Sequence, residues 1–111
     1  MTPRTKTDMI VIHCSATPAD MDIDAAKIKH WHTVDNGWDD IGYHYVIRLN
    51  GSIEYGRMVD KYGAHSSGQN YDSIGICYIG GMEKDMKEWS DTRTEEQRES
   101  LLLLLKTLKK L

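Results

Sequence analysis

The residues able to bind a metal or move a proton are five histidines (His13, His30, His32, His44 and His65), two cysteines and Tyr43. His30 and His32 stand two apart on a helical stretch. They point to different faces and cannot share a metal as an i, i+4 pair does. His30 reads as solvated and His32 as a packing residue beside Trp31. His13 closes the apolar run Ile10-Val11-Ile12-His13-Cys14, where a loop begins. Strand ends are where α/β sheets place ligands and catalysts, although a histidine there also reads plainly as a hydrogen-bonded core residue. Tyr43 and His44 open a strand after Gly42. His65 lies in the glycine-containing loop 63–70, and loop histidines on a rigid scaffold are stronger functional candidates than core ones. Cys14 and Cys77 both sit inside apolar stretches and are too few for a disulfide framework. They read as buried thiols, Cys77 above all. No Ser-His-Asp order, phosphate-binding glycine loop or Cys-x-x-Cys pair is present. Residue types and spacing alone therefore point to a small domain with a histidine-lined cleft.

The elements that must position these groups follow from patterning. The 111 residues carry formal net charge −3 and are 40% hydrophobic, which supports one domain over 1–111. The mild acidity argues against a nucleic-acid binder that works by neutralising phosphates. No stretch is apolar enough to span a membrane, and the polar start Met1 to Asp8 has no secretory signal. Asp8 to Cys14 reads as a strand covered on both faces. Asp24 to Asn36 reads as an amphipathic helix with an Asp24 N-cap and a Gly37 stop. Tyr43–Leu49 and Ser52–Met58 flank Asn50-Gly51, the favoured pair of a two-residue type I′ hairpin. Ser73 to Ile79 is a further strand. Thr94-Glu95-Glu96-Gln97 is a capping box before a helix through Leu101–Leu105 to Leu111. Five successive leucines predict a helix buried all round, or one meeting a partner or a second copy of the chain. The fold class is α/β: a single mixed β-sheet flanked by helices.

Read in order, Ile12-His13-Cys14-Ser15-Ala16-Thr17, Trp31-His32, Gly37-Trp38, Gly42-Tyr43-His44-Tyr45, Asn50-Gly51, Gly63-Ala64-His65, Gly68-Gln69-Asn70, Ser73-Ile74-Gly75-Ile76-Cys77 and Gly80-Gly81 resemble the zinc-dependent N-acetylmuramoyl-L-alanine amidases. These are the type-2 amidases, related to phage amidase-lysozymes and to peptidoglycan recognition proteins. The resemblance runs from about Asp8 to the end of the chain. It implies a peptidoglycan hydrolase that cleaves the amide between N-acetylmuramic acid and the first L-alanine of the stem peptide. It implies a zinc ion held by two histidines and one cysteine, with water in the open position. Residue by residue, His13 matches the first zinc ligand and Tyr43 the assisting tyrosine. His65, with His44, Asn70 and Ser73, is expected on the substrate side. Cys14 follows the ligand and is not the family's metal cysteine.

The same resemblance places the second zinc histidine, the zinc cysteine and an assisting polar group on a last strand and loop beyond the long helix. The chain is therefore expected to lack that C-terminal segment, to bind zinc weakly and to be weak or inactive alone. Ser66-Ser67 also stand where many relatives carry a basic residue. The alternative is a degenerate module that grips peptidoglycan, or a protein such as a phage RNA polymerase, without cutting. Either way the expected partners are peptidoglycan components, with no nucleic acid and no membrane. Synthesis is expected in the cytoplasm and action at the bacterial cell wall.

Overall fold

The structure is a computed structural model that describes residues 1–110; the end of the expected helix at Leu111 lies outside the described residues. Its elements are β1 (Met9–Cys14), β2 (Thr17–Pro18), α1 (Ala25–His30), β3 (Tyr45–Ile47), β4 (Ile53–Tyr55), β5 (Ser73–Tyr78), β6 (Gly81–Met82) and α2 (Glu95–Leu108). A four-stranded mixed sheet runs in the order β1-β5-β3-β4, and β2 and β6 form a separate two-stranded ribbon. β5 pairs parallel with β1 on one side and with β3 on the other, whereas β4 returns antiparallel.

Side-chain alternation along the central strands builds two cores, one on each face of the sheet. Tyr45, Ile47, Ile74 and Ile76 meet Leu101, Leu104 and Leu108 of α2. Val46, Cys77 and Ile79 meet Ile23, Ile28 and Ile41 on the α1 side. The sheet is thus covered by a helix on each face, as the α/β reading requires.

Three expectations are corrected. Among the described residues β1 is an edge strand, paired with β5 alone, and it is not covered on both faces; Ile12 is 44% exposed. The leucine run does not bury α2 all round. Leu101, Leu104 and Leu108 face the sheet, while Leu102 and Leu103 remain 55% and 63% exposed, as a 3.6-residue period dictates. The hairpin forms, but not with a type I′ turn. Gly51 has φ +87° while Leu49 and Asn50 keep negative φ. The Gly51 N–H donates to the Arg48 carbonyl and the Arg48 N–H to the Ser52 carbonyl. That is a three-residue loop, a tight turn followed by a left-handed glycine.

Both helix starts behave as the sequence predicts. The Asp24 carboxylate accepts from the Lys27 N–H, 2.9 Å. At α2 the Thr94 hydroxyl accepts from the Gln97 N–H, and the Gln97 side-chain oxygen accepts from the Thr94 N–H. Gln97 does more than cap. Its amide nitrogen, buried between α2 and the sheet, donates to the Ile79 carbonyl at 2.9 Å and reaches that of Ile47 at 3.4 Å. The α1 segment does not continue as a regular α-helix. Trp31–Asp35 forms a π-helical turn, closed by the Asn36 N–H donating to the Trp31 carbonyl.

Candidate active site

His13 is the penultimate residue of β1 and lies opposite Cys77 in the parallel register. Strand alternation therefore aims it at the α1-side face. On the same face of β5, opposite Val11, stands Gly75. A Cβ there would stand 2.6 Å from the His65 ring, so the missing side chain leaves the space that His65 occupies. Loop 63–70 brings His65 into that space. The Asn70 side-chain oxygen accepts from the His65 and Ser66 N–H groups, each 3.0 Å, and so stands in for a backbone turn.

His13 Nε2 and His65 Nδ1 are hydrogen-bonded at 2.9 Å, with their rings edge to face. Tyr43 also lies against His13, with ring centroids 5.3 Å apart. It is held from behind, because the Arg57 N–H donates to the Tyr43 carbonyl. The buried Arg57 guanidinium donates to the carbonyls of Ile41 and Tyr62, 2.9 and 2.8 Å. A cleft of about 390 Å³ opens over Tyr43 and His65, lined also by His32, Trp38, Ser66 and Asn70 among others.

The electrostatics favour neutral groups. Burial lowers the pKa of His13. Burial first, then the neighbouring His13 and His44, push His65 down to about 4. Burial raises the Tyr43 phenol well above its usual value, and the thiol of Cys77 adds to the effect. Cys77 itself is pushed up to about 12 by burial. At neutral pH the site thus presents uncharged imidazoles beside a protonated phenol. Such a phenol donates a hydrogen bond and is a poor base.

Not every expected site residue reaches the cleft. His44 is 1% exposed. Its Nδ1 accepts from the Gly75 N–H at 2.9 Å and its Nε2 meets the Lys61 carbonyl at 2.8 Å. With both nitrogens committed to backbone, it ties β5 to the loop. Ser73 is fully buried; its hydroxyl donates to the Gln69 carbonyl and accepts at His65 Nε2. It supports His65 from beneath and does not face the cleft. Neither His44 nor Ser73, both expected on the substrate side, lines the cleft. Cys14 turns toward Tyr78, Gly81, Trp89 and Arg93, away from the cleft.

The structure also adds a residue. His32 does not pack beside Trp31 as a plain core histidine. The π-helical turn carries it to the cleft, where its ring lies tilted against Trp38 (4.6 Å) and Tyr43 (5.6 Å), and its Nδ1 accepts from the Gly42 N–H, 2.9 Å. The available signal was the Gly37-Trp38 pair following Trp31-His32; regular helical spacing concealed it.

The described residues meet the needs of a zinc site only in part. His13 is a half-buried neutral imidazole in ring contact with two residues of the cleft wall, which suits one ligand. Among the described residues no three His, Cys, Asp or Glu side chains are grouped to hold a metal. A complete site needs donors besides these.

Residues 3–111 match the family described as N-acetylmuramoyl-L-alanine amidase. The chain is similar to the endolysin of Klebsiella phage KP32, at 43% identity over 107 residues, 95% of this chain and 70% of the endolysin. Among solved structures it is similar to the N-acetylmuramoyl-L-alanine amidase LysC of Clostridium intestinale: TM-score 0.78, 32% identity, 93% of this chain and 62% of that one. It is also similar to a chain in the complex of tracheal cytotoxin with the ectodomains of peptidoglycan recognition proteins LCa and LCx: TM-score 0.80, 27% identity, 96% and 64% coverage. The chain thus spans between 62% and 70% of the length of these relatives.

Proposed function

The chain belongs to the N-acetylmuramoyl-L-alanine amidase family, and from that footing we propose that it acts on bacterial cell-wall peptidoglycan, at the amide between N-acetylmuramic acid and L-alanine. The observation that carries this reading is the grouping of three rings: Tyr43 and His65 line one open cleft, and each has its ring centroid within 5.3 Å of that of His13. In this reading His13 is one zinc ligand, and the segment that the resemblance places after the long helix supplies the others. Held there, a zinc ion would supply an activated water and polarisation of the amide carbonyl.

The chain's own residues do the rest. The Tyr43 phenol, protonated at neutral pH, donates a hydrogen bond to the carbonyl oxygen as negative charge develops there. Trp38 and His32 wall the cleft and offer flat apolar surface to the substrate. Asn70 holds loop 63–70 so that His65 keeps its place. No helix among the described residues is long and apolar enough to cross a membrane, and an aqueous substrate in the wall needs none.

The test is release of L-alanine amino termini from purified peptidoglycan. The 111-residue chain and a version extended by the C-terminal segment of a phage endolysin are compared, each with and without His13→Ala. Activity in the extended version that disappears with His13→Ala supports the reading. Activity that survives the substitution removes it.

A second reading rests on the absence of a three-donor metal group among the described residues. In it the chain holds peptidoglycan stem peptides, or a protein partner, without cutting them. Sedimentation with intact peptidoglycan, undiminished by His13→Ala and unaccompanied by release, distinguishes it.

A further inference from the structure

We propose that His65 is a positioning residue that decides which nitrogen of His13 carries the proton, and that Ser73 fixes His65 in turn. The purpose of the arrangement rests on the reading of His13 as a metal ligand; its geometry does not.

The hydrogen bonds run in one direction. Ser73 Oγ has a single proton and stands 2.6 Å from the Gln69 carbonyl oxygen, which can only accept. That proton is committed. Toward His65 Nε2, 3.2 Å away, the same oxygen can therefore only accept. So His65 Nε2 carries the hydrogen, and in the neutral ring Nδ1 is left as an acceptor. His13 Nε2 lies 2.9 Å from that Nδ1 and must donate to it. His13 Nδ1 is then left with a bare lone pair, the form in which imidazole binds a divalent metal.

The surroundings keep the relay in register. Gly75 leaves room for the His65 ring, which a side chain at that position would displace. Asn70 pins the backbone on which His65 is carried. Metal-binding histidines commonly donate their second N–H to a carboxylate or a carbonyl, which fixes tautomer and ring angle. Here the acceptor is another imidazole, and a buried serine makes it one. Without the serine, His65 could present N–H at either nitrogen, and half of those states would oppose an N–H on His13.

The experiment uses the 111-residue chain, metal-free, with ¹⁵N-labelled histidine and long-range ¹H–¹⁵N correlations at neutral pH. His13 and His65 are each expected as a single tautomer protonated at Nε2. His65→Ala and Ser73→Ala, each with an amide spectrum matching the parent fold, are expected to relax His13 toward the mixture of a free imidazole. His65→Asn, which sets an amide oxygen near the former Nδ1, is expected to restore the single form; a merely structural role for His65 would not produce that rescue. Zinc affinity is expected to fall about 10–100-fold in the two alanine variants. A His13 protonated at Nδ1 in the parent chain, or a His13 tautomer unmoved in both alanine variants, overturns the proposal. If the tautomers behave as expected while added zinc leaves the His13 ring resonances unmoved, the relay stands and the metal reading of His13 fails instead.

Discussion

Gly75 lies beneath His65: a Cβ on this glycine would come within 2.6 Å of the ring Cγ and 2.7 Å of Nδ1. One absent methyl group in the central strand is thus what admits a second imidazole beside His13. Alanine suits an extended backbone better than glycine does, so any cost of Gly75→Ala comes from this contact. The substitution is expected to destabilise the fold by about 1–3 kcal/mol and to break the His13–His65 hydrogen bond. Urea midpoints read the first effect and histidine ¹⁵N spectra the second. An unchanged midpoint with the bond intact would contradict the contact.

Gln97 gives a second test, remote from the site. It is 1% exposed, and its amide nitrogen faces the carbonyl oxygens of Ile47 and Ile79. Gln97→Glu replaces that donor with an oxygen and buries a charge against two acceptors. The expected loss is about 2–4 kcal/mol, larger than for Gln97→Ala. Denaturant unfolding of the two variants checks the order.

Stability should fall in mild acid. His65 is held at about 4, against 6.5 for a free imidazole, and His13, His32 and His44 are shifted in the same direction. The unfolded chain therefore takes up protons below pH 6.5 that the folded chain refuses. Unfolding is favoured as pH drops from about 6.5 toward 4, and the folded state is fully favoured above that window. Urea midpoints at pH 7.5, 6, 5 and 4.5 should decline through this range, less steeply in His65→Ala. A flat profile would show that the rings are not held neutral.

Zinc should bind this chain weakly. A single imidazole competes poorly with water for the ion, and catalytic zinc takes three protein ligands. Dialysis against a mild chelator followed by metal analysis is expected to leave well under one equivalent; stoichiometric retention would show a donor set not seen among the described residues.

Tyr43→Phe, made in a chain extended to the length of its phage relatives, should cut turnover by about a hundredfold or more while zinc content stays level. Equal loss of both would give Tyr43 a structural role only.

Much of this architecture was readable from the residues. Apolar runs gave the strands, the capping box gave the start of α2, and ordered motifs gave the family. What stayed hidden has physical causes. β1 reads as doubly covered because hydrophobicity reports neighbours in general, not which edge of a sheet lacks one. Asn50-Gly51 marks a hairpin, but the pair serves equally a type I′ turn, which puts both residues in the left-handed region, and a three-residue loop, which puts only the glycine there. His44 and Ser73 belong to the right motifs. Their side chains nonetheless point inward, because backbone groups of β5 and loop 63–70 require partners there. The role of Gly75 is invisible without its neighbour across the sheet.

The π-helical turn at Trp31–Asp35 has an evolutionary implication. Such a turn is equivalent to one extra residue threaded into an ordinary helix. Excising that residue would let the coil tighten and swing the following side chains by about a hundred degrees. His32 would then lose its seat beneath Gly42 and Trp38. The wall of the cleft therefore depends on the spacing of this segment as much as on its chemistry, and single-codon deletions there should be tolerated far less well than substitutions.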